Sequence, residues 1–301
     1  MTSGETDEGY IDVPGGKVWY RSVGTGDGVP LLCLHGGPGF TSHYLEPLAA
    51  LAGPRRVIFY DQLGCGRSDR PADGSLWTMS RFIEELARVR AALGLGRVHV
   101  FGNSWGGVLA MQYVLDRRPD LASLILCGSP ASMVRWASDC AELLARLPSE
   151  VTGVIRSHEE SGFTSCPEYQ AAILSFYHEH LCRMDPWPDS LERSFAEFGY
   201  DVYHTMNGPS EFTITGTMRT WDVMDRLGEI AIPALVMGGR HDECRPSQLE
   251  EMHRRMPGSE LAIIEDASHL CFAEQPARFL RVVNAFLDRV DGRPASGTPG
   301  P

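Results

Sequence analysis

The sequence lacks any long run of apolar residues, and this absence bears on the expected location of the protein in the cell. No stretch among its 301 residues approaches the roughly 18 apolar residues that a membrane-spanning helix needs. The first ten residues, MTSGETDEGY, are polar and acidic, without the basic start and apolar centre of a secretion signal. These features predict a cytoplasmic protein that has no membrane anchor.

Sequence patterns for metals and common cofactors are also missing. The eight cysteines form no Cys-x-x-Cys pair and no zinc-like spacing with histidine. Single, scattered cysteines are typical of a reducing compartment rather than of a disulfide framework. There is no phosphate-binding loop, and the glycines around Ser104 do not match the dinucleotide pattern G-x-G-x-x-G. We therefore expect neither a metal nor a cofactor.

Positive charge is scarce in this chain. The 27 Lys and Arg residues face 39 Asp and Glu residues, which gives a formal net charge of −12. An excess of negative charge argues against non-specific binding to nucleic acid or to anionic membranes. Most of these carboxylates are expected on the solvated surface. The predicted partner is a small molecule, and no nucleic acid or membrane is expected.

What the sequence does contain is an alternation of apolar runs and helical segments. Residues 10–22 predict a hairpin that turns at Pro14 and Gly15. Alternation of strand and helix predicts an α/β fold, with a mostly parallel central sheet flanked by helices. The predicted buried strands lie in residues 30–37, 55–62, 97–104, 121–129, 232–240 and 259–268, and the clearest helices in residues 79–96, 105–118 and 276–290.

The alternation stops in residues 131–220, which are rich in aromatic and acidic residues and have no strand rhythm. We expect a largely helical cap there, inserted after one strand and lying over the carboxyl edge of the sheet. The α/β core would then comprise residues 1–130 and 221–290. The tail, residues 291–301, is rich in Pro, Gly and Ser and is expected to be disordered.

The motif G-x-S-x-G at residues 102–106 is the strongest indication of chemistry. It follows the apolar run VHVF and precedes a predicted helix, which is the context in which this motif holds a nucleophile. A sharp strand-to-helix turn strains the backbone of the serine and exposes its hydroxyl above the sheet, and the glycines relieve crowding. The motif therefore predicts Ser104 as a nucleophile.

A second glycine-rich loop, HGGPG at residues 35–39, follows an earlier apolar run. Acyl transfer develops negative charge on a carbonyl oxygen, and two backbone N–H groups aimed at that oxygen stabilise it. One donor is expected on the residue after the nucleophile, here Trp105, and the other in the loop after the earlier strand. We assign that second donor of the oxyanion hole to Gly37.

A serine is a weak nucleophile until a base removes its proton. The chain order serine, acid, histidine predicts Asp242 and His269, which both follow apolar runs downstream of Ser104. His269 would take the serine proton and return it to the leaving group, while Asp242 would fix the imidazole tautomer. The adjacent Glu243 remains an alternative for this orienting acid.

Taken together, five segments of the chain resemble the proline iminopeptidase family of α/β hydrolases, and the resemblance runs from about residue 10 to residue 290. HGGPG combined with D-Q-x-G-x-G-x-S and G-x-S-W-G-G is fairly specific for this family, whereas G-x-S-x-G alone is not. The segments are HGGPG at 35–39, DQLGCGRSD at 61–69, GNSWGG at 102–107, GPSEFTITG at 208–216 and GRHDE at 239–243.

The resemblance implies an exopeptidase that removes an N-terminal residue, often proline, from short peptides, amides or arylamides. It also implies that glutamates near the cap bind the free amine of the substrate, and by motif match these are Glu211 and Glu243. Physical chemistry agrees with this assignment, because a buried ammonium group needs carboxylate partners.

Four other functions stay open at the level of sequence. The same triad would serve an amino-acid amidase, an esterase or a hydrolase that tailors a specialised metabolite. Faster turnover of N-blocked esters than of free-amine amides would favour an esterase. A non-catalytic binding module on the same fold is a further alternative, and labelling of Ser104 by a fluorophosphonate would exclude it.

Overall fold

The computed structural model describes residues 6–164 and 166–293. Most of the tail that the sequence predicts to be disordered, residues 294–301, lies outside the described residues, as do residues 1–5 and Ser165. Across the described ranges, no helix combines the length and the apolar character that crossing a membrane requires.

Seven strands form one sheet in the described part of the chain. Each apolar run that the sequence assigns to a buried strand contains one of these strands or its end. Their bounds are β1 (Thr6–Val13), β2 (Gly16–Leu34), β3 (Arg55–Tyr60), β4 (Val98–Asn103), β5 (Leu121–Cys127), β6 (Ala234–Gly239) and β7 (Ser259–Ile264).

The pairing of the strands produces a mostly parallel sheet. β1 and β2 form an antiparallel hairpin that turns at Pro14 and Gly15. Beyond it, β2, β4, β5, β6 and β7 lie side by side in that order, and each neighbouring pair is parallel. The predicted fold class is therefore confirmed. Because parallel strands point the same way, their carboxyl ends meet at one edge of the sheet.

β2 takes a course that the sequence analysis did not predict. It is 19 residues long and pairs with β3 twice. Residues 20–23 pair antiparallel with residues 57–60, whereas residues 31–33 pair with residues 57–59 in rising order on both strands. β3 therefore lies between the two halves of β2. The curled strand delivers its last residues to the middle of the sheet, next to β4.

Helices cover both faces of this sheet. Each of the three segments with clear helical periodicity contains a helix, and the helices at 246–255 and 271–274 are additional to the prediction. The bounds are α1 (Met79–Ala92), α2 (Trp105–Arg117), α3 (Met133–Leu144), α4 (Ser149–Ser161), α5 (Pro167–His180), α6 (Asp189–Ala196), α7 (Tyr200–Met206), α8 (Pro246–Arg255), α9 (Cys271–Glu274) and α10 (Pro276–Val290).

The helix starts follow local chemistry in the sequence. The hydroxyl of Thr78 accepts a hydrogen bond from the backbone N–H of Arg81 (3.3 Å), and this bond caps α1. Ser132 caps α3 in the same way, through the N–H of Arg135 (3.2 Å). Pro276 occupies the first turn of α10, where a missing N–H costs nothing.

Alternate residues of each central strand enter two separate apolar cores. On β2, Leu32 packs with α1 and α2 in one core, and Leu31 packs with α10 in the other. On β5, Leu124 and Ile125 divide in the same way. A strand that is buried on both faces needs an apolar residue at every position, which explains why the sequence shows continuous apolar runs here.

Five of the helices, α3 to α7, lie between β5 and β6, within the stretch predicted to be a cap. The chain leaves and re-enters the sheet region at a single point. The N–H of Met133 donates to the carbonyl of Trp221 (2.9 Å), and the N–H of Val223 donates to the carbonyl of Ala131 (2.8 Å). The division into core and cap at residues 131–220 stays a prediction that this arrangement supports.

Asp61, immediately after β3, joins two loops at the carboxyl edge of the sheet. Its side chain is fully buried and accepts from the N–H (2.8 Å) and hydroxyl (2.7 Å) of Ser42, and from the N–H and Nε of Arg67 (both 3.0 Å). Burial alone would raise the pKa of Asp61. The Arg67 charge and these hydrogen bonds outweigh it, so that the pKa lies below its usual value.

Replacing Asp61 by asparagine removes the buried charge and turns an amide N–H₂ toward these donors. We expect Asp61→Asn to lower the free energy of unfolding by about 3 kcal/mol at pH 7, as for other broken buried pairs. Urea unfolding measures this loss, with the exposed Glu150→Gln as the matched control. Equal urea midpoints for Asp61→Asn and the wild type would contradict the assignment.

The stabilisation by Asp61 has a defined dependence on pH. Because folding lowers the pKa of this carboxyl, its contribution is complete above the pKa of the unfolded chain, about 3.9. The contribution is lost as the pH falls through the lower pKa of the folded protein. The difference in unfolding free energy between wild type and Asp61→Asn should therefore persist from pH 7 to about pH 5 and shrink below about pH 4.

Candidate active site

Ser104 occupies the turn between β4 and α2. Its backbone has φ 53° and ψ −123°, a conformation that non-glycine residues rarely adopt and that costs roughly 1–3 kcal/mol. Close packing enforces the turn. A side chain at Gly102 would come within 2.5 Å of the backbone of Gly106, and one at Gly106 would overlap the carbonyl of Leu34. The N–H of Ser104 also donates to the carbonyl of Cys127 (3.0 Å).

His269 and Asp242 form a buried hydrogen-bonded pair. His269 follows β7, Asp242 follows β6, and the imidazole Nδ1 donates to the carboxylate Oδ1 of Asp242 (2.7 Å). The same Oδ1 accepts from the N–H of Cys244 (2.7 Å), which fixes the carboxylate. Gly128 lies against this pair, because an added Cβ would stand 2.8 Å from both His269 Nδ1 and Asp242 Oδ2.

The charges around His269 control its protonation. Burial alone would lower the pKa of the imidazole, but Asp242 and Glu243 together raise it to about 10. Glu243 Oε1 lies 3.7 Å from Nε2, the ring nitrogen opposite to the one that Asp242 binds. Asp242 therefore contacts the imidazole as the orienting acid would, and Glu243 faces its other side.

The structure brings the predicted catalytic residues to one cavity. Ser104, Gly37 and His269 line a cavity with a volume of about 500 Å³, its opening included, and Asp242 lies behind His269. Ser104, Gly37 and Trp105 together line a second, smaller cavity. Both residues predicted to supply the oxyanion donors therefore lie near the serine. Trp105 is the first residue of α2, where backbone N–H groups have no partner within the helix.

Gln62, in the motif DQLGCGRSD, connects the two loops that carry these donors. Its amide N–H₂ donates to the carbonyl of His35 (3.0 Å), and its amide oxygen accepts from the indole N–H of Trp105 (2.8 Å). From the sequence we expected only that this glycine-rich loop passes near the site. A polar residue two positions after the end of β3 was the sequence signal for a closer role.

The buried imidazole of His35 also joins the HGGPG loop to Gln62. Burial lowers the pKa of His35 to about 4, although Asp61 and the Gly36 carbonyl oppose this shift. The ring is therefore neutral at pH 7. Its Nε2 accepts from the N–H of Gln62 (2.9 Å), so its Nδ1 carries the proton and donates to the carbonyl of Gly36 (2.9 Å).

Tyr44 completes the support of the serine turn, and the sequence analysis missed it. Its hydroxyl accepts from the N–H of Gly36 (2.7 Å) and donates to Asn103 Oδ1 (2.7 Å). The amide group of Asn103 in turn donates to the carbonyl of Cys127 (2.9 Å). One buried hydroxyl thus ties the HGGPG loop to the residue that precedes Ser104. Tyr44 lies in a short 3₁₀ helix, His43–Leu51, and a single tyrosine there gives no sequence signal of this kind.

The larger cavity holds two carboxylates that no described Lys or Arg neutralises. Glu243 is buried, and Glu211 is partly exposed to the cavity. Burial raises the pKa of both side chains. Glu211 Oε1 accepts from the hydroxyl of Tyr203 (2.7 Å), and Glu243 Oε2 has no hydrogen-bond partner among the described residues. The remaining wall is mostly aromatic and includes Phe40, Tyr44, Tyr177, Phe195, Phe198 and Tyr203.

These features fit a covalent hydrolase whose substrate carries a positive charge. Acyl transfer requires a serine nucleophile, a histidine with its acid and N–H donors for an oxyanion, and the residues predicted for these roles lie together here. The two carboxylates in the same cavity, one buried and one partly exposed, would attract a cation. Within the described ranges, no group of three or more His, Cys, Asp or Glu residues is arranged to hold a metal ion.

Comparison with known proteins gives the same picture. Residues 29–276 match the family model of the alpha/beta hydrolase fold. The chain is 40% identical over 285 residues to a proline iminopeptidase of Heyndrickxia coagulans, covering 94% of this chain and 99% of the relative. A proline iminopeptidase of Saccharolobus solfataricus is 36% identical over 288 residues, and this alignment covers 94% of this chain and 93% of the relative.

Two solved structures are similar over nearly the whole chain. VinJ superposes with a TM-score of 0.91 at 36% identity, covering 94% of this chain and 99% of VinJ. The proline iminopeptidase of Mycobacterium smegmatis superposes with a TM-score of 0.86 at 37% identity, covering 95% and 99%.

Gln62→Met tests the link between the two donor loops. Methionine keeps the length of the side chain but removes its bonds to His35 and Trp105. Losing one oxyanion donor outright costs about 100-fold or more in kcat, so we expect a misplaced donor to cost about 10-fold. Steady-state kinetics should show this fall with little change in KM. An unchanged kcat in a variant with a wild-type unfolding midpoint would refute the link.

The pH dependence of Ser104 labelling tests the charges around His269. Because the imidazole must be neutral to accept the serine proton, the rate of labelling by a fluorophosphonate should rise with pH toward its pKa of about 10. Glu243→Gln removes one cause of the raised pKa and should shift the profile to lower pH by about one unit or more. Glu150→Gln is the control, and an unshifted Glu243→Gln profile would contradict the prediction.

Proposed function

This chain belongs to the proline iminopeptidase family of α/β hydrolases, and we propose that it is a serine aminopeptidase acting on substrates with a free N-terminal amine. Its substrates would be short peptides, amides or arylamides, with proline as the preferred first residue. Membership in the family makes it a hydrolase. The substrate and the roles of single residues are the proposal.

The observation that carries the proposal is the pair of carboxylates beside Ser104. Glu211 and Glu243 line the same cavity as the serine, and no described Lys or Arg lines it. An ammonium group would satisfy both, since charge-assisted hydrogen bonds are strong where water is excluded. Aromatic walls suit a compact apolar ring such as that of proline.

In the acylation step, the Oγ of Ser104 attacks the carbonyl carbon while His269 Nε2 takes the hydroxyl proton. The carbonyl π electrons move to the oxygen, which the N–H groups of Gly37 and Trp105 stabilise. When the intermediate collapses, the C–N bond breaks and His269 protonates the leaving amine. Asp242 holds the imidazole through Nδ1 and stabilises its positive charge throughout.

In the deacylation step, water replaces the leaving amine. His269 takes a proton from this water, and the hydroxide attacks the acyl carbon. The ester bond to Ser104 then breaks, and the serine oxygen recovers its proton from His269. The products are the free N-terminal residue and the regenerated enzyme. No step requires a cofactor, because the triad supplies the nucleophile, the base and the acid.

Glu243 connects substrate binding to the base. It faces Nε2 of His269, the nitrogen that must be unprotonated before catalysis begins. A bound ammonium would offset the charge of Glu243, and its own charge would lower the pKa of His269. The free amine would therefore both anchor the substrate and favour the neutral imidazole.

Glu211→Gln tests the amine anchor. We expect kcat/KM for a proline arylamide to fall by about 100-fold, which corresponds to about 3 kcal/mol for a lost charge-assisted bond. The N-acetylated arylamide should be a poor substrate for the wild type, and Ser104→Ala should be inactive on both. Glu192→Gln, an exposed glutamate of α6, is the matched control.

Three other results would contradict the proposed function or part of it. If Glu211→Gln hydrolysed the free-amine arylamide like the wild type, the anchor role would be wrong. If neither arylamide reacted while a simple ester did so through Ser104, the aminopeptidase proposal would fail and an esterase would replace it. Resistance of Ser104 to fluorophosphonate labelling would instead indicate a binding module.

A further inference from the structure

The loop that carries Glu211 is bound by an acidic side chain from another helix. Glu159, near the end of α4, accepts from the hydroxyl of Ser210 (2.6 Å) and from the hydroxyl of Thr213. It also accepts from the hydroxyl of Tyr169 in α5 (2.9 Å). Ser210 precedes Glu211 directly and Thr213 follows it by two residues, so Glu159 holds the loop on both sides of the proposed anchor.

Other contacts of this loop involve neutral groups. The indole N–H of Trp136 donates to the carbonyl of Glu211 (3.0 Å), and the amide of Asn207 donates to the carbonyl of Ser210 (3.0 Å). These bonds fix the backbone from α3 and from the end of α7. Glu159 contributes the charged contact, and no described Lys, Arg or His pairs with it. Its three partners are hydroxyl groups, each able to donate one hydrogen bond.

We propose that Glu159 is a positioning residue that sets the side chain of Glu211 for binding the substrate amine. The inference rests on the proposed function, because it assigns a purpose to the Glu211 loop. Hydrogen bonds from hydroxyls to a carboxylate are short and roughly twice as strong as neutral ones. Two of them close to Glu211 restrict the backbone on which its carboxylate depends. A displacement of about 1 Å in such a group is enough to weaken binding strongly.

The arrangement also explains why an acid stands at position 159. Each carboxylate oxygen has room for more than one donor: Oε1 accepts from both Tyr169 and Ser210, and Oε2 accepts from Thr213. A glutamine could offer only one such oxygen, and its N–H₂ group would face a hydroxyl that now donates. Glu159→Gln should therefore keep part of the positioning of Glu211, whereas Glu159→Ala should lose this positioning.

The test compares Glu159→Ala with Glu160→Ala, because Glu160 is the next residue of α4 and is exposed. For a proline arylamide we expect Glu159→Ala to raise KM by about 10-fold and to change kcat by less than about 3-fold. The rate of Ser104 labelling by a fluorophosphonate, which has no amine, should stay as in the wild type. Glu159→Gln should raise KM by about 3-fold, and Glu160→Ala should change neither quantity.

A double-mutant cycle separates positioning from general support of the fold. If Glu159 acts through Glu211, Glu159→Ala should add almost nothing in a Glu211→Gln background. Full additivity would overturn the proposal, as would wild-type KM in Glu159→Ala. A matching loss in arylamide hydrolysis and fluorophosphonate labelling would overturn it too, because that result indicates a role in the whole site. If Glu159→Ala does not fold, Glu159→Gln takes its place in the same cycle. Full additivity or a wild-type KM would then overturn the proposal in the same way.

The outcomes also separate this inference from the proposed function. A silent Glu211→Gln variant would overturn the amine anchor and, with it, the role of Glu159. A strong effect of Glu211→Gln beside a silent Glu159→Ala would overturn the positioning role alone. The anchor would then stand on the contacts of Tyr203, Trp136 and Asn207.

Discussion

Burial of the sheet on both faces is the constraint from which the site follows. Alternate residues of the central strands enter two different cores, so polar side chains are excluded from most of their length. Polar and charged groups therefore collect where the strands end. Ser104, Asp242 and His269 follow three separate strands, and the parallel arrangement brings all three ends to one edge. The chemistry is thus located by the same packing that stabilises the fold.

A second constraint is the uneven distribution of charge at that edge. Asp242 and Glu243 lie on opposite sides of one imidazole, and together they raise the pKa of His269 to about 10. Burial in turn raises the pKa of Glu211 and Glu243. Among the described residues, no Lys or Arg lines this cavity to favour the charged carboxylates. Under the proposed function, one substrate ammonium would supply that positive charge and would also lower the pKa of His269.

The sequence predicted those features that depend on local order. The apolar runs located the strands, and the G-x-S-x-G motif located the turn that the structure places at Ser104. The curl of β2 around β3 was not predictable, because a strand pairing twice with one neighbour leaves no periodic pattern. Gln62 and Glu159 escaped notice for a related reason: each acts through partners distant along the chain. The family resemblance, rather than residue patterns, drew attention to Glu211.

The narrow junction of the predicted cap bears on how the residues around the cavity can vary. The chain departs at Ala131 and returns at Val223, and backbone hydrogen bonds join the two crossings. The ends of the insertion are therefore neighbours whatever lies between them. The junction therefore fixes only the two ends of the insertion, so its interior can change in length or sequence while β5 and β6 keep their register. Such changes alter the residues that line the cavity without altering the strands that precede Ser104, Asp242 and His269.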